Sequence, residues 1–338
     1  MSSSHPKKAV VTGASGFIGA ELCRRLQADG FAVAGLCRRS SRALPSNVKR
    51  IEVDLLDRDG LTRALEQTRA DAIYHLAGYT HATRDLEAIT SALDSNLVPT
   101  INILTAAARV GCKRIVLAGS MEEPTPPGQP RSPYAASKAA GTMFAQMFNE
   151  LYGTPVTVAR IFMVYGRAQR DVRKIIPHTI LSLLRGDELR CSSGRRQLDW
   201  IYIDDVAAGL AAMAEQPGID GLTIDLGTGT LATVREVVEN LVQLVDPTAK
   251  PHFGALPDRP GEHVTQADAD RTEKLLGWRA ATSLSDGLAR TAQYYTEHQQ
   301  RYHPTQRAGL SSALARCVPL LASPEFAEWA TLATSAPV

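Results

Sequence analysis

Over roughly its first half, the chain alternates short apolar runs with segments of helical periodicity. Ala9–Thr12, Ala32–Cys37, Arg50–Val53, Ala72–Leu76, Arg114–Ala118 and Val156–Ile161 are the strand candidates, several apolar at consecutive positions, not alternate ones. A strand covered on both faces reads this way, as in a parallel sheet between two helix layers. The intervening segments, Phe17–Ala28, Gly60–Arg69, Ala92–Val110 and Pro133–Tyr152, carry helical spacing. Repeated strand–helix units predict an α/β protein with a doubly wound parallel sheet, whose ligands sit at the carboxyl ends of the strands. After Gly166 the pattern is less regular. Ile175–Arg185 and Val234–Val245 read as helices, Trp200–Ile203 and Leu222–Leu226 as short strands, and Pro247–Gly261 as a proline-rich loop. This half is expected to form a smaller lobe over the open edge of the sheet. Gly309–Val338 is rich in Ala and Leu at helical spacing; packing on its own subunit is the first expectation for it and an oligomer contact the second.

Composition narrows the class. The 338 residues are 44% hydrophobic and 21% charged with a formal net charge of +2, as in a soluble globular protein. Nothing in that balance calls for a nucleic acid polymer or a membrane surface as partner. The five cysteines, at 23, 37, 112, 191 and 317, share no metal-ligand spacing. No zinc site or disulfide framework is expected, and a reducing cytoplasm is the expected compartment. The polar N-terminus does not read as a signal peptide, and no apolar run approaches about 18 residues. Of the 37 basic residues only eight are lysines. Arginine suits bidentate phosphate contacts, although codon bias explains most of the excess.

Local chemistry begins at the first strand, which runs into Thr12-Gly13-Ala14-Ser15-Gly16-Phe17-Ile18-Gly19 and then a helix. The glycines allow a tight turn and a close backbone approach to a pyrophosphate, and the helix start offers free N–H groups. A strand before and a helix after is the context that dinucleotide binding requires. The second strand ends in Cys37-Arg38-Arg39-Ser40-Ser41-Arg42, with no acid for a ribose 2′-hydroxyl. Guanidinium groups there favour NADP, with NAD possible; a solvated basic loop is the alternative. Asp54-Leu55 suits the adenine, and Leu76-Ala77-Gly78 allows a close approach to the cofactor. Tyr134 and Lys138 lie one helical turn apart. An ammonium beside a tyrosine favours the phenolate, which can accept a hydroxyl proton.

Thr12–Gly19, Ser120, Tyr134 and Lys138 together resemble the extended short-chain dehydrogenase/reductase superfamily. Asn96 with Thr100, Asp199–Asp205, Asp258-Arg259-Pro260-Gly261 and Leu276-Gly277-Trp278 are further matches, in the family's order over about residues 8 to 295. They are specific for the NAD(P)-dependent branch that modifies nucleotide-diphosphate sugars. The resemblance implies a Rossmann domain over 1–170, to which 199–217 returns, a smaller α/β substrate lobe over 171–302, and an unexplained extension over 303–338. It implies a homodimer built on helices, including the one carrying Tyr134; Ala139, Met143, Phe144, Met147 and Phe148 are available for that contact, with core burial as the alternative. It also implies a nicotinamide cofactor reduced and reoxidised within one turnover. Ser120 then bonds the sugar hydroxyl being oxidised, Tyr134 is the base, and Lys138 tunes it. Ile161 and Phe162 back the nicotinamide, Thr80 and His81 lie near the sugar, and Arg259 pairs with the diphosphate. The Cys37–Ser41 stretch is similar to the cofactor loop of GDP-mannose 4,6-dehydratases, which use NADP.

The departures bear on the reaction. Glu122 falls where 4,6-dehydratases carry the base for the carbon-5 proton; sugar decarboxylases also have Glu there, and a solvated loop acid is the alternative. Met121 replaces the proton donor of the dTDP-glucose enzymes, and a thioether carries no proton. The Met-Glu pair also resembles that of UDP-N-acetylglucosamine 5,6-dehydratases. Met163 removes an amide contact to the substrate diphosphate, and Leu198 stands where many relatives have Arg. The diphosphate is therefore expected on Arg259 with Arg195, Arg196 or Arg173. The expected activity is transient oxidation at carbon 4 followed by dehydration (4,6 or 5,6). The alternatives are a 4-epimerase, then a 4-ketoreductase or a decarboxylase, and from another class a non-catalytic NADP-binding regulator.

Overall fold

The computed structural model describes residues 6–38, 43–125, 128–258 and 264–302. Arg39 and Arg259, and the extension after Tyr302, lie outside the described residues.

In chain order the first half contains β1 (Lys8–Thr12), α1 (Phe17–Ala28), β2 (Ala32–Cys37), β3 (Lys49–Glu52), α2 (Arg58–Thr68) and β4 (Ala72–His75). It continues with α3 (Ala88–Ala92), a π-helical turn (Leu93–Leu97), α4 (Val98–Val110), β5 (Arg114–Ser120), α5 (Pro133–Tyr152) and β6 (Val156–Ile161). The second half contains β7 (Met163–Tyr165), α6 (Ile175–Arg185), β8 (Arg190–Cys191), β9 (Gln197–Tyr202), α7 (Ile203–Glu215) and β10 (Thr223–Leu226). After these come β11 (Leu231–Thr233), α8 (Val234–Val245), β12 (His252–Phe253), α9 (Ala269–Leu276), α10 (Leu284–Glu297) and a 3₁₀ turn at Gln299–Tyr302.

Seven strands form one sheet in the order β10-β6-β5-β4-β1-β2-β3. All six pairings in it are parallel. The strand order reverses between β1 and β4, which opens a crevice at their carboxyl ends. The consecutive apolar residues are explained by cover on both faces. Val10, Ile115 and Leu117 point into a core with Leu61 and Leu65 of α2, Ile103 and Leu104 of α4, and Ala145 and Phe148 of α5. Ala9, Val11 and Val116 point the other way, toward Leu22 and Leu26 of α1 and Val206 and Leu210 of α7. On α5, Phe148 is core and Phe144 and Met147 pack against it, while Met143 is exposed.

Smaller sheets accompany the large one. In the first, β9 pairs parallel with β7 and antiparallel with β11; in the second, β8 pairs with β12. The strand expected at Trp200–Ile203 runs from Gln197 to Tyr202, and Ile203 opens α7 instead. The strand expected at Leu222–Leu226 begins at Thr223 and forms the edge of the large sheet, so Ile224 and Leu226 join the core with α1 and α7. Arg160 of β6 reaches across this edge to both carboxylate oxygens of Asp225, at 2.6 and 2.9 Å.

The helix expected over Ala92–Val110 contains a break in its register. Pro99 has no N–H to continue the α ladder, and the preceding Leu93–Leu97 winds as a π turn. This turn carries Asn96, which is buried.

Asp199, fully buried in β9, accepts hydrogen bonds from the N–H groups of Thr228, Gly229 and Ala267 at 2.7–3.1 Å and from the Thr228 hydroxyl. It ties the loops after β10 and before α9 to β9. Asp199→Ala leaves three backbone donors without this acceptor, each costing about 1–3 kcal/mol when buried. Urea unfolding is expected to show a loss of at least about 3 kcal/mol; a variant as stable as the wild type would refute this role.

Candidate active site

The turn from β1 to α1 is shaped by close contacts. Gly13 has φ +70°, and a Cβ there would lie 2.8 Å from the Ala77 nitrogen. A Cβ on Gly19 would lie 2.2 Å from the Gly13 carbonyl oxygen. No side chain caps α1, which starts after Gly16 and leaves its first N–H groups facing outward with the positive end of the helix dipole. Thr12, at the end of β1, accepts hydrogen bonds from Leu76 and Ala77 N–H, both at 3.1 Å. With its oxygen so used, its proton goes to His75 Nδ1 at 2.8 Å, which puts the ring hydrogen on Nε2. The loops after β1 and β4 are thereby fixed to each other across the crevice. Bare backbone, a free helix start and this fixed crevice fit a dinucleotide: Gly13, Ser15, Gly16, Phe17, Ile18 and Gly19 on one side, Leu76 and Ala77 on the other. Arg38 is exposed just past β2, and Asp54 is exposed past β3, where it accepts the Leu56 N–H.

The expected acid–base groups lie where α5 docks on the end of β5. Ser132 caps α5 through a bond from Ala135 N–H, and Pro133 sits in the first turn, so Tyr134 and Lys138 leave the helix near its start. Lys138 Nζ donates to the Ala118 carbonyl of β5 at 2.9 Å. Asn96 accepts the Tyr79 N–H at 2.7 Å and donates to Ser137 Oγ at 2.9 Å, and Ser137 in turn donates to the Tyr134 carbonyl. The π turn thus braces both α5 and the loop after β4.

Burial pushes the Tyr134 hydroxyl up to about 12, a hydrogen bond with Ser120 acts in the opposite direction, and Glu123 and Glu122 add to the rise. Burial pulls the Lys138 ammonium down to about 8, against the attraction of Glu123. Ser120 Oγ accepts the Glu122 N–H at 3.2 Å. The Glu122 carboxylate pairs with Arg196 at 3.3 Å. Met121 is buried and donates its N–H to the Ile161 carbonyl.

Other expected residues lie around this centre. Thr80 and His81 are exposed on the loop after β4, and Arg173 approaches His81 at 3.4 Å. Ile161 and Phe162 are buried at the end of β6, with Met163 partly exposed beyond. Arg195 is exposed beside Ser193, whose N–H bonds Asp258 at 2.9 Å. The sequence reading passed over His75, Ser137 and Glu123. Of these only Glu123 had a visible signal, a second acid in the run after Ser120.

The chain is similar to known proteins. The model of the NAD dependent epimerase/dehydratase family matches residues 9–227. The chain belongs to this family. It is 29% identical to a UDP-glucose 4-epimerase of Mycolicibacterium smegmatis over 87% of this chain and 100% of that protein. It is 28% identical to a dTDP-glucose 4,6-dehydratase of Neisseria meningitidis over 87% of this chain and 94% of that protein. Among solved structures, UDP-glucuronic acid 4-epimerase from Bacillus cereus, in complex with UDP-glucuronic acid and NAD, superposes with a TM-score of 0.76 at 26% identity, over 86% of this chain and 99% of that one. The chain is therefore an enzyme of the nucleotide-sugar epimerase/dehydratase family, in the extended short-chain dehydrogenase/reductase branch. No helix among the described residues is long and apolar enough to cross a membrane.

His75 makes a pH prediction. Burial drives its imidazole down to about 3, with the Lys138 charge adding to the effect. Between that value and about 6.5 the unfolded chain binds a proton that the folded chain does not. Stability therefore falls as pH drops through this window, by up to about 1.4 kcal/mol for each pH unit from this residue. Urea unfolding at neutral and mildly acidic pH should show a shallower loss for His75→Gln than for the wild type; equal slopes would contradict the assignment.

Proposed function

We propose that this enzyme dehydrates a nucleotide-diphosphate sugar after oxidation at carbon 4, as a 4,6- or 5,6-dehydratase. The observation that carries the reading is the position of Glu122: two residues past Ser120, bonded to the Ser120 oxygen through its N–H, with its carboxylate paired to Arg196. A nicotinamide held there would accept the carbon-4 hydride and return it later in the turnover, to carbon 6 in a 4,6-dehydration or to carbon 4 in a 5,6-dehydration. Tyr134 takes the proton of the carbon-4 hydroxyl and holds it on its phenolic oxygen, while the Lys138 ammonium stabilises the phenolate. Ser120 bonds the same sugar oxygen and orients it. A 4-keto group makes the carbon-5 proton acidic, and Glu122 removes it. The Met121 thioether has no proton to give, so the proton taken by Glu122 is the one available to the departing hydroxyl. Arg196, Arg195, Arg173 and Arg259 are proposed for the diphosphate, with Thr80, His81 and Met163 beside the sugar.

The second reading is a 4-epimerase. It is supported by the similarity to the UDP-glucose 4-epimerase and by the absence of a proton donor at Met121. For the cofactor we propose NADP, supported by Arg38 directly after Cys37 at the end of β2, where a carboxylate would favour NAD. The Bacillus cereus relative binds NAD, so this selectivity would distinguish the two proteins. We propose a homodimer in which a second copy covers Met143, Leu151 and Tyr152, all exposed on α5.

Incubation with UDP-, dTDP-, GDP- and CDP-sugars in deuterium oxide tests the reaction. Dehydration loses the mass of one water, with solvent deuterium taken up at carbon 5 in a 4,6-product and none there in a 5,6-ene product; an unchanged mass without label would favour epimerisation. Glu122→Gln should lose about 10²–10⁴-fold in dehydration rate, and an unimpaired variant would refute the mechanism. Arg38→Asp should move preference from NADP toward NAD in binding titrations; an unaltered preference would refute the cofactor proposal.

A further inference from the structure

Glu123 is an acid in an unexpected place. It is buried, 9% exposed, directly after the more open Glu122. One carboxylate oxygen accepts the Ser120 N–H at 2.7 Å, and the other accepts the Thr142 hydroxyl at 2.7 Å. Thr142 lies two turns along α5 from Tyr134 and one from Lys138, on the same helix face. A Cβ on Gly119 would come within 2.7 Å of the Glu123 oxygen and 2.9 Å of Val158, so the glycine makes room for the carboxylate.

We propose that Glu123 is a positioning residue, which clamps the end of β5 to α5 and sets a buried negative charge beside the Tyr134–Lys138 pair. The clamp fixes Ser120 against Tyr134, because it grips the Ser120 backbone on one side and the Tyr134 helix on the other. The charge acts on Lys138. That ammonium is partly buried and, among the described residues, donates to the Ala118 carbonyl. A carboxylate nearby keeps it charged, and the charged form supports the Tyr134 phenolate.

The charged and titratable groups around Glu123 come from several elements. Tyr134 and Lys138 face it from α5, Glu122 precedes it in the loop, and Arg160 lies on β6 at the register position of Gly119. Arg160 is held by Asp225, and Glu122 by Arg196, so each of these charges already has a counter-ion. His75 lies beside Lys138 and stays neutral.

The proposal rests on Tyr134 and Lys138 being the acid–base pair, but its test needs no substrate. The full-length enzyme, carrying lysine isotopically labelled at the ε-carbon, is titrated by NMR, with Lys138→Arg assigning the signal. Only eight lysines contribute. The wild-type Lys138 midpoint is expected at about 8. Glu123→Gln keeps an acceptor for Ser120 and a partner for Thr142 but removes the charge, and should lower the midpoint by about one pH unit. Glu123→Leu, neutral and of similar size, should shift it in the same direction. Thr142→Val removes the clamp but leaves the charge, and should leave the midpoint near the wild-type value. A midpoint unmoved in both neutral variants, or moved as far by Thr142→Val, would overturn the proposal. A lowered midpoint in an enzyme that epimerises would support Glu123 while refuting the dehydratase reading.

Discussion

The docking of α5 on the carboxyl end of β5 is the constraint on which the site depends. Tyr134 and Lys138 sit on the first turns of a 20-residue helix, while Ser120 ends a strand; neither element alone sets the distance between them. Lys138 and the Ala118 carbonyl make one link. Glu123 joins the Ser120 N–H to the Thr142 hydroxyl, and Asn96 fixes Ser137 beside the Tyr134 carbonyl. The links are buried or part-buried hydrogen bonds between groups that would be costly to leave unpaired, so they hold the junction together as a network.

The same junction explains the opposing electrostatics. Leaving water favours the neutral forms of both Tyr134 and Lys138, raising one and lowering the other. The proposed mechanism uses their charged forms for part of the cycle; Ser120 opposes the shift of the tyrosine and Glu123 that of the lysine. Glu123 also disfavours the phenolate, so its net effect on the pair is to move both ionisations upward together. The neighbouring Glu122 differs through its setting alone. It is a third exposed and pairs with Arg196, whereas Glu123 is buried.

Much of this architecture was legible in the chain. Strands buried on two faces have no polar alternation, and β1, β2 and β6 stand out for that reason. The bounds of α1, α5, α6 and α8 were also readable, because Pro133, Gly153, Gly186 and the Thr233/Glu236 capping box mark ends with local chemistry. What escaped was non-local. The place of β10 depends on pairing with β6, a strand more than sixty residues away in the chain, and its four residues carry no sign of their neighbour. The π turn around Asn96 follows from Pro99, which reads in sequence as an ordinary early helical proline. Tyr134, Lys138 and Ser120 could be assembled from motif spacing, but the inward turn of Glu123 could not, since it depends on the space left by Gly119 and on a threonine of another element.

The central claim is that this docked junction makes Tyr134 the proton acceptor for oxidation of the sugar. Single-turnover absorbance of the reduced nicotinamide tests it most directly, using the nucleotide sugar that the enzyme turns over and comparing the wild type with Tyr134→Phe. The account predicts a transient in the wild type that forms at least about 10²-fold more slowly in the variant, with binding of both ligands retained. A transient of equal rate in Tyr134→Phe would contradict it.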